Sequence, residues 1–358
     1  MIASFAVATW FFLMQYLVGG RVKEVGRRSK VLLLVLSWIV LETYRIYCQA
    51  SFPDIPNYAD IFEEAGFSWA SVGAGFWEQF LHSEVEVGYS LLMSAFKLIS
   101  YDYNVFLLAV HVLELAALKY FVDKYGVPLM DALPIFLCLT YPTFQIGMLR
   151  QALAMCLVLV ALVHIKRKLV FVLFVVIAAS FHLSALMCLL LVFADKPLKL
   201  WVAVALFLVG LGLYLTQTDI VRWLLPLVSL EGSPRALRVF YYLDDDRANS
   251  FLGIGFWERV LFFVSMCLVY ARLHATKGLT QSHVLFFNLG LALILLQMVF
   301  YSSPTITSRL RYFIVIFPAL FISQYIYQQC RSVLRWGYRA ALTAYLLMYL
   351  YFLASYLA

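Results

Sequence analysis

The sequence predicts an all-α polytopic integral membrane protein with about 10–12 transmembrane helices, including a short broken hairpin. Three observations carry this. Of the 358 residues, 64% are hydrophobic and 13% are charged, whereas about a quarter of the residues in a soluble domain are charged. Apolar runs of about 20 residues, each able to cross about 30 Å of hydrocarbon, recur along the whole chain. Mean hydropathy is +0.88. The chain, 1–358, reads as a single transmembrane domain.

The first apolar run, 2–19, has no basic residue before it, so it reads as a span and not as a cleavable signal. Arg21, Lys23, Arg27, Arg28 and Lys30 follow it. Positive charge is retained in the cytoplasm, which puts the N-terminus outside. The span 31–50 then leads out again, into a segment, 51–101, that reads as a periplasmic loop. Between Arg45 and Lys97 there is no Lys or Arg, while Asp54, Asp60, Glu63, Glu64, Glu78, Glu84 and Glu86 all occur there. Spans at 103–122, 128–145 and 147–165 bring the chain to the basic cluster Lys166, Arg167 and Lys168, on the inside. Three crossings satisfy parity only if "EVGYSLLMSAFKLIS" (86–100) is an interfacial helix.

The next apolar stretch is 169–194. At about 26 residues it is too long for one span and too short for two ordinary ones. After it come a span at 198–216, a polar loop at 217–251 and a span at 252–273 that ends near Arg272 and Lys277. If those basic residues are inside, the loop 217–251 is periplasmic, and 169–194 must return to the side it left. It therefore reads as two short helices broken around "ASFHLSA", with His182 at the turn within the membrane. Spans at 281–301, 311–329 and 337–357 complete the map, with Arg331, Arg335 and Arg339 inside. The protein is thus expected in a bacterial cytoplasmic (inner) membrane, with its working face toward the periplasm or cell exterior.

Composition also excludes several functions. Cys48, Cys138, Cys156, Cys188, Cys267 and Cys330 occur singly in or beside apolar segments and read as packing residues, with no close pair for a metal or redox site. No Gly-rich phosphate loop or His-rich cluster is present, so no cofactor and no metal are expected. There is no visible internal repeat, which argues against inverted-repeat transporters. The net charge of +7 follows from cytoplasmic anchoring and not from nucleic-acid binding.

What stands out is arginine on the outer side. The map places Arg45, Arg150, Arg222, Arg235, Arg238, Arg247, Arg309 and Arg311 on the outer face or at outer helix ends. Arg259, beside Glu258, lies about two turns into its span. Lysine is a hydrated point charge, while arginine offers a planar fork that fits phosphate or carboxylate oxygens in pairs. A pocket for an anionic group accounts for arginines that run against the usual charge bias. Snorkelling to lipid headgroups accounts equally for Arg45, Arg222 and Arg247. Arg150 differs, because it opens a helix whose next turns carry Ala152 and Ala154, small residues suited to close packing. Arg309 and Arg311 are two apart and cannot share a helix face, so one can serve structure while the other serves a site. A lone His182 among apolar neighbours fits a satisfied core residue as well as a functional one.

These same residues carry a resemblance. "MLRQALA" opening one span, followed by "AASFHLSAL" about 30 residues later, is similar to the EpsG-like branch of bacterial polysaccharide polymerases, relatives of the Wzy-type O-antigen polymerases. "YRIYCQASFPDIPNYADIF", with Asp54, Tyr58 and Phe62 spaced by four, and the following "EVGYSLL" resemble that family's first large outer loop. "RLRYF" resembles its late Arg-aromatic element. The match runs in the family's order over roughly 40–320 and departs from it before Asp54, where a GxD-like turn is expected and "SFPD" stands.

The resemblance implies a metal-independent membrane glycosyltransferase with a GT-C-like helical fold, acting in lipopolysaccharide or exopolysaccharide synthesis. Its substrates would be oligosaccharide repeats on undecaprenyl diphosphate, and it would work among membrane lipids with a chain-length regulator protein as a candidate partner. A growing chain would pass from its lipid diphosphate to the non-reducing end of a new lipid-linked repeat. Arg150, with Arg309 or Arg311, would hold the departing diphosphate, and Arg235 and Arg238 would add phosphate contacts. His182 or Asp54 would take the acceptor proton. Tyr58, Tyr241, Tyr242 and Arg45 would contact sugar, although Tyr also belongs at membrane interfaces without any ligand. An O-antigen ligase using the same donor, a flippase or transporter for the same lipid, and a sugar-modifying acyltransferase with a buried His are the rival readings.

Overall fold

A computed structural model of the chain describes residues 54–64, 86–140, 148–218, 253–301, 304–330 and 332–357. The expected spans 2–19 and 31–50 and most of the loop 217–251 lie outside the described residues. Within the described residues the fold is wholly helical, with twelve α-helices and one 3-10 helix. They are α1 (Asp54–Glu64), α2 (Val87–Lys97), α3 (Tyr103–Tyr125), α4 (Leu129–Leu139), α5 (Leu149–Val163) and α6 (Lys168–Ala179), followed by the 3-10 helix (Leu183–Phe193). The rest are α7 (Leu200–Leu215), α8 (Ile254–Ala275), α9 (Gln281–Val299), α10 (Pro304–Arg311), α11 (Phe317–Gln329) and α12 (Ser332–Leu357). Three helices, α3, α8 and α9, are long and apolar enough to cross a membrane, and α5, α6, α7 and the 3-10 helix are shorter apolar helices.

Local chemistry sets the ends of these helices. Asp102 caps α3 by accepting from the Asn104 amide at 2.8 Å. Gly126, at φ 65°, closes α3 in the left-handed conformation that glycine adopts without a Cβ penalty. Thr280 caps α9 in a reciprocal box with His283.

The stretch expected to turn back does so. α6 and the 3-10 helix lie along each other, broken at Ser180–His182. At their base, Lys168 Nζ donates to Val192 O and to Asp195 Oδ1, both at 2.6 Å, so the two limbs begin and end at one level. The 12 residues of α6 and the 11 of the 3-10 helix rise about 18 and 22 Å at 1.5 and 2.0 Å per residue. A bilayer core is about 30 Å thick. A hairpin of this height with its base at one boundary would turn about 10 Å short of the other. Helix α5, with 15 residues, is also about 22 Å long and opens at the same level.

Two expected spans differ: the helix within 128–145 ends at Leu139, and 311–329 is interrupted. Instead of a continuous helix at 311–329, the chain forms α10, a run of tight turns, and then α11. Pro318 stands in the first turn of α11, where its missing N–H costs nothing, but it cannot donate back to a preceding helix. The turns are held by Ile314 N to Arg311 O at 3.0 Å and Phe317 N to Ile314 O at 3.3 Å.

Packing is organised around α5 and α9. Helix α5 contacts α3, α6 and the 3-10 helix; α9 contacts α7, α8, α10 and α11; and α10 touches both the 3-10 helix and α9. One apolar core runs through most of these helices. A satellite core of Tyr58, Phe62, Tyr89, Met93, Phe106 and Leu149 fastens α1 and α2 to α3 and α5. Exposed Leu261, Val264 and Leu268 on α8 form an apolar stripe suited to lipid contact.

The helices run antiparallel and sort polar groups to two ends. At one end Tyr270 OH donates to Leu198 O, Gln281 Nε2 to Asp195 O, and Gln324 Nε2 to Tyr125 O. That end also holds Lys166, Arg167 and Lys168. The other end holds the start of α5, the hairpin turn, α10, and the adjoining ends of α7, α8 and α12.

Candidate functional site

At that second end, segments far apart in sequence come together. The guanidinium of Arg150, at the start of α5, donates from Nη1 to Glu86 Oε2 at 2.5 Å, just before α2. Each of these side chains retains about a quarter of its exposure, with Arg150 at 25% and Glu86 at 23%. A pair this deep keeps its attraction only while both partners stay. Arg150 also lies over the Tyr58 ring, 5.9 Å from its centroid, and hydrogen-bonds its hydroxyl. Tyr58 packs edge-on against Tyr89 at 6.0 Å. Both tyrosines are buried.

The hairpin turn is pinned to the same place. The amide of Gly88, in the first turn of α2, donates to Ser180 O at 2.8 Å. This approach needs glycine, because a Cβ on residue 88 would stand 2.8 Å from Ser180 O and 2.9 Å from its carbonyl carbon. Two residues on, His182 is extended, and its Nδ1 is 2.6 Å from Ser184 Oγ. With the proton on Nδ1 donated to Ser184, Nε2 is the atom that carries the lone pair. Among the described residues, Arg309 and Arg150 act on His182 through space. Arg309 is held from the other direction, as Gln151 Nε2 of α5 donates to its backbone carbonyl.

Arg309 and Arg311 part company. Arg311 turns away from the hairpin and donates from Nη2 to Tyr349 OH of α12 at 2.7 Å. It lies over Tyr312 and Tyr349 and feels the charge of Glu258. Two positions apart on α10, these side chains point about 160° from each other, too far to clamp one group together. Of the two partners expected for Arg150, Arg309 lies toward the hairpin and Arg311 toward α12.

A cavity of about 210 Å³ lies between the 3-10 helix, α9 and the turns after α10. Its walls are apolar and include Met187, Leu191, Leu295, Val299, Leu310 and Phe313. Leu310, next to Arg309 on α10, is the lining residue nearest the cationic site in sequence. A charged head with an apolar tail fits this combination of surfaces.

Of the residues singled out from sequence, the structure thus brings together Tyr58, Arg150, His182 and Arg309, and separates Arg311. Asp54 opens α1, one turn before Tyr58. Arg45, Arg235, Arg238, Tyr241 and Tyr242 lie outside the described residues, as do Arg222 and Arg247. Sequence reasoning missed Glu86, Gly88, Gln151 and Ser184 as members of the site. Glu86 and Gly88 stand in "EVGYSLL", and Gln151 follows Arg150 directly. Among the described residues no three His, Cys, Asp or Glu side chains gather in a way that suits a metal ion.

No curated protein and no solved structure matches the chain. The model of the EpsG family does, over residues 31–358 and so over nearly the whole chain; the chain belongs to the EpsG family, which supports a polysaccharide-polymerase-like role in a membrane.

Proposed function

We propose that the protein is a glycosyltransferase that polymerises lipid-linked oligosaccharide repeats, with undecaprenyl diphosphate as the leaving group and the Arg150–His182–Arg309 cluster as its donor site. The observation that carries this reading is the meeting of two arginines and one histidine at the hairpin turn, beside an apolar cavity. In the reaction the bond between the donor's anomeric carbon and the diphosphate oxygen breaks, and a bond from that carbon to an acceptor hydroxyl forms. Negative charge grows on the diphosphate, where Arg150 and Arg309 stabilise it without reorganising. The hydroxyl proton passes to His182 Nε2, with Ser184 holding the ring through Nδ1. The apolar cavity takes the first part of the polyprenyl chain. The working face is periplasmic or extracellular, because the basic cluster Lys166, Arg167 and Lys168 lies at the opposite end of the bundle.

The test is purified protein supplied with lipid-linked repeats alone. A glycan ladder without nucleotide sugar or added metal is the expected product. Absence of any product longer than one repeat, from folded protein, would overturn the assignment.

A further inference from the structure

The separation of Arg311 from Arg309 leaves a second cationic cluster without a use in the donor site. Helices α7, α8 and α12, with the end of α10, build it. Arg259 lies over the Tyr214 ring at 5.7 Å, and Tyr214 packs against Tyr301 at 4.4 Å. Arg259 and Arg311 are near enough to feel each other's charge. A carboxylate they both sense, Glu258, accepts from Tyr345 OH at 2.6 Å. Two guanidinium groups thus lie within electrostatic range of one carboxylate among the described residues. Buried donors remain there as well: Arg259 Nε and Nη1 and Arg311 Nε have no hydrogen-bond partner among the described residues. Unmade bonds of this kind cost about 1–3 kcal/mol each, and more for charged groups, so an excess of cation and free donors inside a membrane calls for an anion.

The shape around them narrows what the anion is. Outside the cavity given to the donor's chain, the exposed apolar stripe Leu261, Val264 and Leu268 runs along α8, the helix that carries Arg259. A soluble anion gains nothing from such a stripe, whereas a lipid buries its chain against it. The fork of arginine favours phosphate oxygens.

We propose that the Arg259–Arg311 cluster is a second site for a phosphate-bearing lipid head group, separated from the Arg150 site by α10. The proposal rests on the polymerase reading in one respect: a reaction between two lipid-linked glycans needs places for two lipid diphosphates, only one of which is cleaved. His182 belongs to the Arg150 cluster alone, so the chemistry occurs there and the second site holds an intact lipid phosphate. An ordinary anionic phospholipid carries the same head-group chemistry and is the other source.

Native mass spectrometry of the full chain distinguishes these outcomes, with undecaprenyl diphosphate as one probe and phosphatidylglycerol as the other. Two equivalents of undecaprenyl diphosphate are expected on the wild type. Arg259→Gln should retain one, and Arg259→Lys should weaken the second equivalent by about tenfold or more, the scale of one charged hydrogen bond. If phosphatidylglycerol at equal concentration takes the second place, and Arg259→Gln abolishes that uptake, the site is real and its occupant is phospholipid. A wild type that binds one diphosphate and no Arg259-dependent phospholipid overturns the second site while leaving the donor site standing. Two equivalents retained by Arg259→Gln and Arg259→Lys also overturn it. A wild type that binds phosphatidylglycerol through Arg259 but no undecaprenyl diphosphate overturns the polymerase reading and keeps the site. A thermal melt of each variant separates a lost equivalent from a lost fold, and Arg259→Lys, which keeps the charge, serves where Arg259→Gln does not fold.

Discussion

At the scale of single residues, Arg150 does two things that lysine cannot do together. Its Nη1 reaches Glu86 while the plane of the guanidinium lies over Tyr58. Arg150→Lys keeps the charge but loses the fork and the stacked plane. Polymer formation should fall by about 10- to 100-fold, as one or two charge-assisted hydrogen bonds are lost. Folding should change little, which a thermal melt monitors. Arg150→Ala should behave differently, leaving Glu86 unpaired at a cost of about 3–5 kcal/mol, with a lower melting temperature as the sign. Near wild-type ladders from the lysine variant would make Arg150 an anchor and no ligand. For His182 the informative change is Gln, which keeps a hydrogen bond to Ser184 but takes up no proton near neutral pH. Turnover should drop by about 100-fold or more in protein that melts normally. A well-folded, active His182→Gln would assign the residue to positioning and move the base to Asp54.

At the scale of elements, the broken hairpin was legible and the contact that fixes it was not. Counting crossings required 169–194 to return to its starting side, and that argument used only charge and length. It located His182 at the turn but was blind to α2, because no periodicity in "EVGYSLL" tells that Gly88 meets Ser180. The same limit explains α10. Spacing showed that Arg309 and Arg311 face apart, yet nothing in "SRLRYF" tells which side holds the hairpin and which holds α12. A hydrophobic run also hides its own interruptions, as Pro318 did within 311–329. The Gly88 contact is open to test. Gly88→Ala forces α2 off the turn, costing about 1–3 kcal/mol as overpacking does. Melting temperature and ladder formation should fall together, since Glu86 moves with the helix. Ser180→Gly should not restore either one, because the added Cβ also meets the Ser180 backbone, at 2.8 Å from O and 2.9 Å from C. Full rescue by Ser180→Gly would mean that only the serine hydroxyl was in the way.

At the scale of the whole molecule, the candidate site has a side only if the bundle's two ends face different compartments. The end with Lys166, Arg167 and Lys168 is the basic one; Lys124 and Arg272 stand in the last turns of helices that finish there, and Lys277 follows just beyond. The Arg150 end adjoins α1, whose surface residues Asp60 and Glu63 are acidic and exposed. Positive charge retained in the cytoplasm orients the bundle with Arg150 outward. Single cysteines report this directly once the six native ones are replaced. Asp60→Cys should react with an impermeant thiol reagent applied to intact cells or spheroplasts, and Asp245→Cys should do the same. Lys124→Cys, Arg167→Cys and Ala275→Cys should react only after the membrane is opened; all three positions are exposed, so silence reports sidedness and not burial. The pair at 167 and 245 is the decisive one. The chain between them contains the hairpin and one further crossing, so opposite labelling requires the hairpin to return. Labelling of both from the same side would mean that 168–194 crosses the membrane, and it would take His182 away from the face on which Arg150 waits.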